Sequence, residues 1–166
     1  MTAATCELRF DGALLARGFW LYVWEVSFPD RSKGYFVGRT GDSSSPAAQS
    51  PFHSLGLHIH AIVRGTVPGK GGKAKEIDPT ECKFHFVAHG PILPEAATLD
   101  LHRERRDTAA ALAKALAEAM EGAGYRVVNT VRCTKPLDDA KLFRQIKAAF
   151  AKHFPRLKAP ARMARR

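Results

Sequence analysis

The amino-acid sequence predicts an α+β fold in which a small, mainly antiparallel β-sheet is flanked by helices and followed by a basic C-terminal helix and arm. The sheet is predicted from residues 19–38, where two runs rich in aromatic and β-branched residues flank a turn-forming segment. The helices are predicted from later runs in which apolar residues recur every three or four positions. The arm is predicted from a run of Lys and Arg residues at the C-terminus.

The predicted hairpin is the first well-patterned part of the chain. Residues 19–28 (FWLYVWEVSF) form its first strand, residues 29–34 (PDRSKG) its turn, and residues 35–38 (YFVG) its second strand. Residues 1–18 are weakly patterned, so they are treated as an N-terminal extension of a single domain.

Residues 52–63 can be interpreted in two ways. Their apolar side chains recur at helical spacing, whereas the alternation over residues 57–60 (LHIH) would also suit a strand. Further on, residues 79–92 contain a third predicted strand, because residues 82–88 (CKFHFVA) alternate between apolar and polar.

Two helices are predicted in the C-terminal half of the chain. The pattern is helical from Leu93 onward, and the first helix spans residues 108–121 with Asp107 or Thr108 as its N-cap. The second helix follows Pro136, with Asp138 as its N-cap. Between them, residues 125–131 form an apolar run that could be a further strand or an ordered return. The inner face of the second helix is predicted to consist of Phe143, Ile146, Phe150 and Phe154.

The charge of the chain is strongly positive. It has 26 Lys and Arg residues against 16 Asp and Glu residues, which gives a formal net charge of +10. Such a balance predicts a polyanionic partner, of which nucleic acid is the commonest, although an acidic protein or an anionic membrane surface would satisfy the same charge.

Three dispersed cysteines, Cys6, Cys82 and Cys133, indicate free thiols in a reducing compartment. The N-terminus lacks the pattern of a signal peptide, and no apolar stretch approaches the length of a membrane span. We therefore expect a cytoplasmic protein that does not span a membrane. The sequence indicates no oligomeric state.

The hairpin resembles the signature of the GIY-YIG nuclease family, in which a Gly-Ile-Tyr-like triplet on one strand is followed by a Tyr-Ile-Gly-like triplet on the next. Residues 20–22 (Trp-Leu-Tyr) resemble the first triplet and residues 36–38 (Phe-Val-Gly) the second, although Trp replaces a glycine and Phe a tyrosine. Residues 39–42 (Arg-Thr-Gly-Asp) are similar to the threonine-containing turn that follows in the family. The resemblance covers residues 19–131, leaves residues 132–166 as the basic C-terminal helix and arm, and favours the helical interpretation of residues 52–63.

This resemblance implies a divalent-metal-dependent endonuclease that hydrolyses DNA phosphodiester bonds. Tyr22 would act as general base, and because a phenol with a pKa of about 10 is a weak base at neutral pH, it would need nearby cations or a metal-ordered water. His58 matches the histidine of the family, but Ser54 replaces the arginine one turn earlier, so His53 or Arg39 would have to substitute for it. The implied catalytic residues are Tyr22, Phe36, Arg39, His53, His58 and Asn129.

The resemblance also implies one Mg²⁺ or Mn²⁺ ion held by a glutamate on the helix that precedes Asn129. Glu118 is the best-placed carboxylate and Glu121 the second, whereas a register one turn earlier would place Ala113 at the metal position. Zinc is an alternative metal, but residues 58–60 (HIH) and 82–85 (CKFH) lack the paired spacing of zinc motifs.

The distribution of basic residues predicts contact with DNA. Residues 141–166 contain nine Lys and Arg residues and no Asp or Glu, and residues 156–166 are predicted to leave the core as an arm. An arm of this kind gains affinity from counterion release when it lies along phosphates. The predicted nucleic-acid contacts are Lys70, Lys73, Lys75, Arg156, Lys158, Arg162, Arg165 and Arg166.

The sequence leaves three functions open. The first is the DNA endonuclease, and the second is a non-catalytic nucleic-acid-binding module on a degenerate GIY-YIG fold, which Phe36 and Ser54 favour. The third is a protein-binding role for the basic arm.

Overall fold

The computed structural model describes residues 5, 7–42, 47–56 and 78–158 of the chain. Within these residues three antiparallel strands form one small sheet and helices pack against it, so the predicted α+β class is confirmed. Residues 51–56 are helical, which agrees with the helical interpretation of this region as far as residue 56. The strands are β1 (Phe19–Ser27), β2 (Lys33–Arg39) and β3 (Lys83–Leu93), and the two long helices are α1 (Leu99–Gly122) and α2 (Ala140–Phe150).

The central strand of the sheet is β1, which pairs with β2 on one side and with β3 on the other. The predicted hairpin and the predicted third strand are therefore confirmed. β2 begins earlier than predicted, because Lys33 pairs with Ser27 across the hairpin and its ammonium group contacts the Glu25 carboxylate.

The two faces of β1 are buried in different surroundings. On one face Leu21 and Val23 belong to the apolar core that they share with α1 and α2. On the other face Tyr22 and Trp24 contact the ring of Phe86. Because successive side chains of a strand point to opposite faces, α1 and the Tyr22 side chain lie on opposite sides of the sheet.

α1 begins at Leu99 rather than at residue 108. The Thr98 hydroxyl accepts a hydrogen bond from the amide of the third helical residue (3.3 Å) and provides the N-cap. The charged run that follows fits the helix, because Asp100 and Arg103 form an ion pair at 3.2 Å while His102 between them is buried. The helical pattern from residue 93 onward is confirmed from Leu99, but the N-cap is Thr98 and not Asp107 or Thr108.

The apolar run 125–131 is an ordered return along the outer edge of β2. The amide and the carbonyl of Tyr35 form hydrogen bonds of 3.0 and 2.9 Å with the backbone of this run. Asn129 extends the pairing with its side chain, since Oδ1 accepts from the Val37 amide (3.0 Å) and Nδ2 donates to the Val37 carbonyl (2.8 Å). The side-chain amide of Asn129 therefore acts as one further peptide group beside β2.

Residues 155–158 form a 3-10 helix that packs on the core. Leu157 is 1% exposed, and the Arg156 guanidinium lies 4.3 Å from the centre of the Tyr125 ring. The prediction that the chain leaves the core from Arg156 onward is wrong for these residues, because Leu157 is an apolar anchor inside the basic run. Residues 159–166 lie outside the described part of the chain.

Two further expectations concern the membrane and the thiols. No helix formed by the described residues combines the length and the hydropathy that crossing a membrane requires. Cys82 and Cys133 are free thiols, as predicted.

Candidate functional site

The Tyr22 side chain and Gly38 are in close contact across the hairpin. The two residues are direct partners in the β1–β2 register, and the tyrosine ring lies over the glycine. A Cβ atom added to Gly38 would collide with the ring and lie 2.6 Å from the Tyr22 hydroxyl oxygen. Glycine at this position is therefore what allows the Tyr22 ring to lie across β2.

The Tyr22 hydroxyl is buried and hydrogen-bonded. Tyr22 is 3% exposed, and its hydroxyl group forms a hydrogen bond with the side chain of Ser54 on the helical segment 51–56. Burial raises the pKa of Tyr22 far above its ordinary value and the negative charge of Asp42 raises it further, while the Ser54 hydrogen bond and the Arg39 charge oppose the shift. Tyr22 is thus a neutral phenol at physiological pH.

Thr40 connects the turn after β2 to the start of β1 through two hydrogen bonds. Its hydroxyl accepts a hydrogen bond from the Trp20 amide (2.9 Å) and donates one to the Gly18 carbonyl (2.6 Å). Gly41 follows with φ of +93°, and a Cβ atom there would collide with the Phe19 ring. These contacts fix the direction in which the chain leaves β2.

Arg39 and Asp42 form an ion pair across this turn. The distance between Arg39 Nη2 and Asp42 Oδ1 is 2.5 Å, and the Arg39 side chain is 19% exposed. The Nε–H group of Arg39 is buried and has no hydrogen-bond partner among the described residues. The guanidinium group is therefore held in one orientation by Asp42 while one of its donors remains unused within the described structure.

Arg39 and Asp42 also line an open cleft of about 500 Å³, which we name the basic cleft. Its walls come from the end of β2, from α1, and from the irregular segment 132–135. Four of its residues are cationic and two are carboxylates. The lining residues are Arg39, Asp42, Arg106, Asp107, Ala110, Arg132, Cys133, Thr134 and Lys135.

The segment 132–135 is held against α1 by a hydrogen bond from Lys114 Nζ to the Cys133 carbonyl (3.3 Å). On the helix itself, Arg106 Nη2 lies 3.1 Å from the Asp107 carboxylate. The cleft is therefore assembled from two arginine–aspartate pairs and a basic segment tied to α1.

The structure places the implied catalytic residues in different settings. Tyr22 and Arg39 are electrostatic neighbours. Phe36 pairs with Trp24 in the register, which puts it on the same face of the sheet as Tyr22. His53 is exposed on the helical segment. Asn129 uses its side-chain oxygen and nitrogen on the β2 backbone, which is a scaffold contact.

Glu118 is not brought to Tyr22. Its side chain is 65% exposed and lies 3.9 Å from Lys114. It belongs to α1, on the side of the sheet opposite to the Tyr22 ring, and it lies roughly 16 Å along the helix axis from Asp107 in the cleft. Ala113, the alternative position one turn earlier, is fully buried in the core.

The described residues contain no group of three or more His, Cys, Asp or Glu side chains that could hold a metal ion. A single Mg²⁺ or Mn²⁺ ion held by Glu118 alone is not tested by this finding and stays a prediction. Several predicted residues lie outside the described chain, namely His58, Lys70, Lys73, Lys75, Arg162, Arg165 and Arg166. Arg156 is described, and its Nη1 donates to the Gly124 carbonyl at 2.8 Å.

Sequence reasoning missed Arg106, Arg132 and Lys135. Each is one basic residue among many, and the separation of the three segments along the chain conceals their convergence. Residues 39–42 resemble a family turn and include Arg39 and Asp42, so they were the one local sequence signal of the cleft.

Comparisons of the chain with protein-family models, with curated proteins and with solved structures returned no match.

Proposed function

We propose that this protein is a non-catalytic nucleic-acid-binding module on a GIY-YIG-like fold, with DNA as the expected partner. The observation that carries the proposal is the charge of residues 140–158, which contain six Lys and Arg residues and no Asp or Glu. α2 buries Ile146 and Phe150 against the core, while Lys141 and Arg144 are exposed to solvent.

A cationic surface of this kind attracts phosphates without reading base sequence. Each phosphate that a Lys or Arg neutralises releases a condensed counterion, and this release drives binding. Lys152 and Lys158 extend the exposed positive charge beyond the end of the helix. The net charge of +10 adds long-range attraction to the same partner.

Two features of the Tyr22 region favour binding over catalysis. The raised pKa of Tyr22 disfavours the phenolate that would remove a proton from water at neutral pH. The carboxylate assigned to the metal, Glu118, is exposed on the far side of the sheet.

The test is the salt dependence of binding to a labelled DNA duplex, measured by fluorescence anisotropy. The triple variant Lys141→Gln/Arg144→Gln/Lys152→Gln should bind more weakly, and its log–log salt slope should fall by about 0.9 for each phosphate that the variant no longer neutralises. A matched control, Arg9→Gln/Arg31→Gln/Arg103→Gln, removes the same charge from exposed positions outside this surface. Equal losses in the two variants would mean that only net charge matters and would contradict the proposal.

The endonuclease remains a second proposal, because the contact between Tyr22 and Gly38 joins the two triplets that resemble the nuclease signature. Nicking of supercoiled plasmid with Mg²⁺ or Mn²⁺ tests it, with Tyr22→Phe and Glu118→Gln as the variants expected to lose activity. Ser54→Arg restores the cation that the resemblance expects one turn before His58. DNA binding without cleavage by wild type and by Ser54→Arg would exclude the enzyme, whereas cleavage that survives Glu118→Gln would exclude Glu118 as the metal ligand.

A further inference from the structure

We propose that the basic cleft is a binding site for a phosphate monoester, and specifically for the terminal phosphate of a nucleic-acid strand. The phosphate chemistry follows from the cleft itself, while the choice of a strand end as its source rests on the proposed nucleic-acid binding. None of the residues that line the site belongs to α2.

The charge of the cleft matches a dianion. Its lining has four cations (Arg39, Arg106, Arg132 and Lys135) and two carboxylates (Asp42 and Asp107), and four minus two leaves a net charge of +2. A phosphate monoester carries about −1.5 to −2 charges near pH 7, because its second pKa is about 6. An internal phosphodiester carries a single negative charge, so it would leave part of the cleft charge unmatched.

The two arginines of the walls are already oriented. Asp42 fixes the guanidinium of Arg39 and Asp107 contacts that of Arg106, so neither arginine must be ordered when an anion arrives. A planar guanidinium suits the tetrahedral oxygens of a phosphate group.

The other two cationic residues of the cleft are exposed to solvent. Arg132 and Lys135 are exposed, and neither forms an ion pair with a carboxylate in the described part of the chain. Thr134 lies between them in sequence and lines the same cleft. The cleft volume of about 500 Å³ exceeds that of a phosphate ion and lies within the range of small-molecule sites, which leaves room for an attached nucleoside.

The experiment compares two labelled duplexes that differ only in carrying a 5′-phosphate or a 5′-hydroxyl at one end, with a 3′-phosphate duplex as a third probe. Wild type should bind a phosphorylated end about tenfold more tightly, which is the scale of one added charge-assisted hydrogen bond. Arg132→Gln/Lys135→Gln should abolish this preference and leave affinity for the hydroxyl end nearly unchanged. The control, Lys141→Gln/Arg144→Gln, should weaken binding to both ends equally and keep the preference.

The preference should also grow between pH 5.5 and pH 7.5, because the monoester gains its second charge over that interval. Equal affinity for both ends, a pH-independent preference, or equal losses for both ends in Arg132→Gln/Lys135→Gln would overturn the proposal. Calorimetry with a nucleoside 5′-monophosphate separates the site from the partner. If the nucleotide binds in a manner that requires Arg132 and Lys135 while no duplex binds, the cleft is a phosphate site and the proposed nucleic-acid function fails.

Discussion

The surroundings of Tyr22 and the basic cleft are neighbouring regions built in opposite ways. Tyr22 is buried and neutral, and the sequence motif that contains it lies entirely within residues 19–42. The cleft is open and charged, and its walls come from three distant segments. Arg39 and Asp42 belong to both, since they line the cleft and also act on the pKa of Tyr22. The buried residues around Tyr22 thus support the structure, while the charged residues that suit a ligand line the neighbouring basic cleft.

The largest expected effect is a loss of stability when the contact between the Tyr22 ring and Gly38 is disturbed. Gly38→Ala should lower the free energy of unfolding by about 1–3 kcal/mol, because the added Cβ overlaps the Tyr22 ring. Chemical denaturation of Gly38→Ala, Tyr22→Val and the double variant measures the coupling, and the double variant should lose less than the sum of the two singles. The control Gly12→Ala meets no atom within 4 Å and should change stability little. Additive losses would mean that the ring does not require the glycine.

A smaller effect concerns the hydroxyl group of Tyr22 at high pH. Because burial raises the folded-state pKa of Tyr22, the unfolded chain loses the phenol proton first, and stability should fall as pH rises above about 10. Below that pH Tyr22 is protonated in the folded and in the unfolded chain, so its contribution to stability is fully present there. When urea unfolding is measured at several pH values, the free energy of unfolding of Tyr22→Phe should decrease less above about pH 10 than that of wild type. The substitution should leave DNA affinity unchanged. Burial also raises the pKa of Tyr35, to about 12, and the loss that this residue causes should persist in the variant.

The smallest effect probes the residue pair that joins the two regions. Asp42→Asn removes a negative charge that raises the Tyr22 pKa, so that pKa should decrease while stability changes little, since the Asp42 side chain is 64% exposed. NMR titration of ring-labelled tyrosine follows the pKa directly. Asp100→Asn is the matched control, because Asp100 pairs with Arg103 on the surface of α1. A Tyr22 titration unchanged by Asp42→Asn would show that the two regions are electrostatically independent.

Local patterns in the sequence predicted the local parts of this structure. The hairpin, the third strand and the α+β class followed from residue types and alternation, since strand pairing and turn chemistry depend on neighbouring residues. The N-cap of α1 was misplaced because its first turns are exposed and highly charged, so they lack apolar periodicity. Leu157 was missed because a single apolar residue among basic ones forms no period.

The candidate site was predictable only at its motif. Tyr22 and Arg39 were found through residues 19–42, whereas Arg106 and Arg132 become neighbours of Arg39 only after the sheet and α1 pack together. The assignment of Glu118 depended on a register along α1 that sequence left open between three positions. Exposure and strand alternation in the folded chain place this side chain away from Tyr22.

The hydrogen bonds of Asn129 have a consequence for the order of folding events. They join residues 92 positions apart, whereas the hairpin that contains Val37 closes through a short turn. Closing a loop of that length costs more chain entropy than closing the hairpin, so the Asn129 contact should form late, after the rate-limiting barrier has been crossed. Asn129 would then control how slowly the native protein opens rather than how quickly it folds.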